Sequence, residues 1–124
     1  MSEFTYLFHR TKTVSASPED TQRRIQTWLA WFQELTDKGY LKDRGNYLEQ
    51  GRGNLVVGKK KSVTDGPFAE SKDVVVGYIV VEAADLDEAT LLAKGCPILD
   101  LDDGSVEIRP VVRRPPMHGA TVKT

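Results

Sequence analysis

The most constraining stretch is Asp73-Val74-Val75-Val76-Gly77-Tyr78-Ile79-Val80-Val81-Glu82. Its β-branched and aromatic content predicts a central strand, with Gly77 placed to bend it. Strict alternation puts Val74, Val76, Tyr78 and Val80 on one face and Val75, Ile79 and Val81 on the other. Both faces are then apolar, so both need cover. Helices can cover one face of such a sheet. A second subunit is the simplest cover for the other, which predicts a homodimer packed through its sheets.

The flanking elements fit that plan. Phe4 to His9 reads as a first strand, with Phe4, Tyr6 and Phe8 on one face and Thr5, Leu7 and His9 on the other. Ser17-Pro18-Glu19-Asp20 starts a helix: Ser17 caps, Pro18 suits the first position, and two acids complement the positive dipole end. Ile25, Trp28, Leu29, Phe32 and Leu35 recur at helical spacing, with Trp31 at the edge, and Gly39 stops a helix over 18–37. Tyr40 to Glu49 reads as a strand with a bulge or bend at Gly45, followed by short strands at 54–58 and 62–64. Asp85 caps a second helix, bracketed at its end by Gly95 and Pro97. A last strand over 105–111 sets Val106, Ile108 and Pro110 against Glu107 and Arg109. Strand, helix, strands, strand, helix, strand predicts an α+β fold, a ferredoxin-like split βαβ with an antiparallel sheet. The expected boundaries are one domain over 1–112 and an extended tail over 113–124, which carries Pro115-Pro116.

Composition excludes several classes. With 17 basic and 18 acidic residues the net charge is −1, which offers no broad field for nucleic acid or an anionic membrane. No apolar run approaches the ~20 residues of a membrane helix. The first residues lack a basic segment and an apolar signal core, so a cytoplasmic location is expected. The single cysteine, Cys96, excludes an internal disulfide and any multi-cysteine metal site. No metal-ligand spacing or phosphate-binding glycine loop is visible, so no cofactor and no metal are expected.

Val63-Thr64-Asp65-Gly66-Pro67-Phe68-Ala69-Glu70-Ser71-Lys72 concentrates turn chemistry, two carboxylates and an aromatic between two strands. This stretch resembles the signature of the YCII-related, or DGPF-domain, family. The resemblance continues through Gly77 to Glu82, Ala84 to Ala89, Ala93 to Pro97 and Val106 to Val111. It implies a ferredoxin-like fold and a dimeric α+β barrel. Relatives of that fold include muconolactone isomerase-like and monooxygenase proteins, and a better-studied branch is thought to use a His–Asp pair. Here the histidines are His9 and His118, neither on the first helix.

Asp65 leads the candidate residues. A carboxylate on a turn at a strand end can act as general acid or base, or it can cap backbone N–H groups. Gly66 and Pro67 set chain direction. Phe68 can pack over a pocket or close core. Glu70 and Lys72 can pair, bind a polar substrate or stay solvated. Arg109 can hold a substrate carboxylate bidentately, or form a salt bridge with Glu82 or Glu107. His9 can exchange protons or be an ordinary hydrogen-bonding residue. Tyr6 and Tyr78 can lend hydroxyls to a pocket or pack at an interface. Cys96 lacks a histidine partner nearby in sequence.

Two functions follow. One is a small cofactor-independent lyase or isomerase acting on an organic acid or lactone. Asp65 would move a proton with help from His9, Arg109 would orient the substrate, and Glu70, Phe68 and Tyr78 would line the site. The other is a non-catalytic ligand-binding or regulatory partner module. The resemblance motivates it, because family members are sometimes encoded or fused with extracytoplasmic-function sigma factors. The arm Arg113-Arg114-Pro115-Pro116 would then be the contact.

Overall fold

The computed structural model describes residues 1–11, 17–64 and 73–112. Strand β1 (Ser2–Arg10) leads to helix α1 (Pro18–Asp37) and strand β2 (Leu41–Tyr47). A small hairpin follows, β3 (Leu55–Val57) and β4 (Ser62–Thr64). Then come β5 (Val74–Ala83), α2 (Leu86–Ala93), a 3-10 turn (Pro97–Asp100) and β6 (Ser105–Pro110). The main sheet has the order β2-β5-β1-β6, and its pairs are all antiparallel. This is the expected split βαβ arrangement.

Both helices begin where capping chemistry places them. Ser17 Oγ accepts the Asp20 N–H, and Pro18 occupies the first turn. Asp85 accepts the Glu88 N–H, and the Glu88 carboxylate reaches back to the Ala84 N–H at 2.7 Å. The apolar stripe of α1 lies one flank away from the expected one. Trp31 is buried and Trp28 and Phe32 are half-buried, whereas Ile25 and Leu29 stay about half exposed. Aromatic packing explains the rotation: Phe8 meets Trp28 edge-on at 5.0 Å, and Tyr6 stacks on Trp31 at 6.3 Å.

Strict alternation in β5 also fails, at a bulge. Phe8 faces Gly77 and His9 faces Val75, so β5 carries one extra residue there. The bulge reverses the parity of the strand. Val74 and Val76 face the helices before it, and Ile79, Val81 and Ala83 face them after it. Tyr78 and Val80 are thereby turned to the open face beside Val75. The core joins Val76, Ile79, Val81 and Ala83 to Phe4, Tyr6, Phe8, Trp31, Leu35, Ala89, Ala93, Cys96 and Ile98. Tyr6 donates its hydroxyl to the Ala89 carbonyl, tying β1 to α2.

Arg10 is buried at the end of β1 and forks onto Asp103 at 3.2 and 3.1 Å. Asp103 also accepts the Thr11 N–H at 3.1 Å. The pair fastens the end of β1 to the turn before β6. Removing one partner leaves a buried charge. We therefore expect Asp103→Asn to cost about 3–5 kcal/mol in urea unfolding, and Arg10→Met combined with Asp103→Leu to cost less than either single change. Additive losses would disprove the coupling.

Burial pushes the Cys96 thiol from 9.0 up to about 12, and nearby Asp100 adds to the rise while a backbone hydrogen bond at Ile98 opposes it. Burial raises the Tyr6 phenol as well. An unfolded thiol ionises above pH 9 while the folded one keeps its proton. The stabilisation is thus complete below pH 9 and lost as pH climbs toward about 12. The urea midpoint should fall across that window. At pH 8 the native thiol should react with a disulfide reagent far more slowly than the denatured one; equal rates would refute a buried, protonated Cys96.

Candidate functional site

Alternation along β1 sends Phe8 and Arg10 into the core and leaves His9 on the open face of the sheet. Its side chain is 16% exposed. The bulge sets His9 opposite Val75, close to Asp73, the residue preceding β5. His9 Nδ1 lies 3.1 Å from Asp73 Oδ1. On the other side β6 runs antiparallel to β1, so Glu107 sits opposite Leu7. Its Oε1 lies 2.9 Å from His9 Nε2. The imidazole thus spans two carboxylates, one just before β5 and one on β6.

Carboxylates only accept, and a neutral imidazole donates from one nitrogen alone. Both contacts are therefore hydrogen bonds together only when three groups hold two protons among them, as in an imidazolium between two carboxylates. Glu107 has a second partner: its other oxygen lies 3.5 Å from the Arg109 guanidinium, whereas Asp73 is the more exposed carboxylate, at 61% against 42%. The salt bridge open to Arg109 is the one with Glu107. The guanidinium is 67% exposed and so keeps most of its donors in water.

Tyr78 follows Val75 along the open face. Its hydroxyl accepts the Asn46 amide N–H at 2.9 Å and keeps its own proton to donate. The bulge expected at Gly45 positions Asn46. Gly45 has φ +60, and a Cβ there would lie 1.7 Å from the Tyr78 carbonyl oxygen. Asp43 accepts the Gly45 N–H at 2.8 Å, closing a local turn. Tyr6 is separate from this group: its hydroxyl is in the core on the opposite face.

The sheet therefore brings His9, Tyr78 and Arg109 to one open face. Asp65, Phe68, Glu70 and Lys72, and also His118, lie outside the described residues. Sequence reasoning missed Asp73 as a partner of His9. Its signal was faint: an acid immediately before the central strand, at the end of the DGPF stretch. Glu107 was visible only as a salt-bridge partner, because its distance from His9 depends on strand pairing across 98 positions. Among the described residues no group of three His, Cys, Asp or Glu side chains is arranged to hold a metal ion. No described helix is long and apolar enough to cross a membrane.

The pattern of the YCII-related domain matches residues 5–115, from within β1 through the end of β6. The chain belongs to the YCII-related domain family. It is also 41% identical over 49 residues to an uncharacterised protein of Rhizobium meliloti (strain 1021). That match spans 40% of this chain and 40% of the relative. The YCII-related assignment agrees with the resemblance read from the DGPF stretch and with the α+β fold.

Replacing Gly45 with Ala tests how the open face is held. A side chain there meets both a positive φ and the Tyr78 carbonyl. We expect a loss of more than ~1 kcal/mol, with Asn46 drawn off the Tyr78 hydroxyl. Thermal unfolding and the Asn46 side-chain amide resonances would report it; unchanged values in both would remove the role given to Gly45.

Proposed function

We propose that this YCII-related domain is a small cofactor-independent acid–base catalyst acting on an organic acid or lactone. The observation that carries the reading is the His9 imidazole held at both nitrogens by carboxylates on an open sheet face. Asp73 fixes the ring from one side. A bound anion would displace Glu107 onto Arg109, and the Nε2 proton would pass to water, so that Nε2 becomes a free base while Asp73 still accepts from Nδ1–H. His9 would then take a proton from the carbon next to the substrate carbonyl, and the electron pair of that C–H bond would pass toward the carbonyl oxygen. Return of the proton to a different carbon gives an isomerase; loss of a leaving group from the neighbouring carbon gives a lyase. Arg109 would receive the substrate carboxylate as a fork, and Tyr78 would offer its hydroxyl proton.

Asp65 remains a proposed proton carrier in this reading, and Glu70 and Phe68 remain proposed lining residues. The partner-module alternative draws on the family resemblance, and the contact arm it would use, Arg113-Arg114-Pro115-Pro116, lies outside the described residues.

Half-buried Leu7, Val75, Tyr78 and Val80 on the open face support a homodimer through that face. The second copy would also exclude water from the site.

The test is solvent-proton exchange in D2O, followed by NMR, across a panel of keto acids, hydroxy acids and enol lactones. A substrate should exchange or isomerise with the native protein, and His9→Gln should slow it by about 10²–10⁴-fold. Asp73→Asn should lower kcat more than it raises KM. Asp65→Asn decides the remaining role: full turnover would leave His9 as the sole carrier. No exchange with any member of the panel, or full activity of His9→Gln, would rule out the acid–base reading.

A further inference from the structure

Hairpin β3–β4 forms a two-stranded sheet of its own, apart from the main sheet. An isolated two-stranded ribbon is marginal in water. This one carries Leu55, Val56, Val57 and Val63, all exposed by 44% to 64%. Val56 pairs with Val63, while Leu55 and Val57 point to the opposite face. Both faces of the ribbon are thus apolar and bare. Its turn, closed by Lys61 N–H donating to the Gly58 carbonyl at 3.0 Å, carries Lys59, Lys60 and Lys61, all exposed.

The complementary surface is on the same chain. The open sheet face presents half-buried Leu7, Val75, Tyr78 and Val80. At the His9 end of that face lie Asp73 and Glu107, with side chains 61% and 42% exposed. An apolar ribbon ending in a basic tip complements an apolar sheet ending in two part-exposed carboxylates. Of these Asp73, the more exposed, contacts His9 alone among the described residues, while Glu107 also meets Arg109. When two such surfaces lie on one chain, a two-fold pair satisfies both at once.

We propose that hairpin β3–β4 is an exchange arm. In a dimer each hairpin lies along the partner's open sheet face, and its lysine tip reaches the partner's Asp73–His9–Glu107 cluster. The occupant of the face is a second copy of this chain, and each site is complete only with a cation from the other copy. Such a cation would hold an anionic substrate beside His9. The inference rests on the homodimer proposed above and specifies how it is built.

Zero-length carbodiimide cross-linking tests it on the 124-residue chain without substitutions. Chains labelled with ¹⁴N and ¹⁵N are mixed, refolded together, cross-linked and digested. We expect peptides joining Lys59–Lys61 to Asp73 or Glu107 in mixed-isotope form. Light scattering on eluting protein gives the second readout. Lys59→Glu, Lys60→Glu and Lys61→Glu together should weaken the dimer at least about tenfold, and Val56→Asp with Val63→Asp should give a monomer of unchanged helical circular dichroism. A wild-type monomer at high concentration overturns both the dimer and the arm. A dimer whose hairpin cross-links stay within one isotope, or whose affinity ignores both sets of substitutions, overturns the arm alone.

Discussion

The register of β5 between β1 and β2 is the constraint on which the rest depends. A strand that is apolar on every position has no preferred face by composition alone. The extra residue opposite Phe8 and His9 supplies the choice. It lets Val74 and Val76 share the helical side with Ile79, Val81 and Ala83, and it presents Val75, Tyr78 and Val80 outward. Without it, one half of the strand would turn its core residues to the open side. Leu7 would then lose Tyr78 as its cross-strand neighbour, and Asn46 would lose the Tyr78 hydroxyl.

That bulge also explains where sequence reading succeeded and failed. Helix limits were legible because they are local: Ser17, Pro18 and Asp85 act through atoms three residues away. The face of β1 was legible because aromatic and smaller residues alternate without interruption. The parity of β5 was not, since Val, Ile and Tyr give the same hydrophobic signal on either side of a bulge, and only pairing with β1 decides it. The stripe of α1 was misplaced for a related reason. Ile25 and Leu29 are as apolar as the tryptophans, but Phe8 and Tyr6 offer aromatic partners that favour Trp28 and Trp31.

The candidate site was half legible. His9, Tyr78 and Arg109 stood out as single residues with useful chemistry. The carboxylates that give His9 its meaning were not, because Asp73 and Glu107 are 64 and 98 positions away from it. A buried ion pair was hidden in the same way: Arg10 and Asp103 read as ordinary solvated charges until the ends of β1 and β6 are brought together. The YCII-related family likewise supplies a fold and leaves the chemistry to be argued from these side chains.

The long separations within the His9 cluster have a consequence for how the protein is made. Asp73 and Glu107 arrive only after β5 and then β6 have docked on β1, and the β6 pairing closes nearly the full length of the chain. Loop closure on that scale comes late relative to helix and hairpin formation. A chain still emerging from the ribosome, or one clipped before residue 105, would have its helices capped and its first strand in place and yet own a histidine with no fixed neighbours. The His9 cluster is therefore assembled last, and its presence is a chemical report that the whole chain has finished folding.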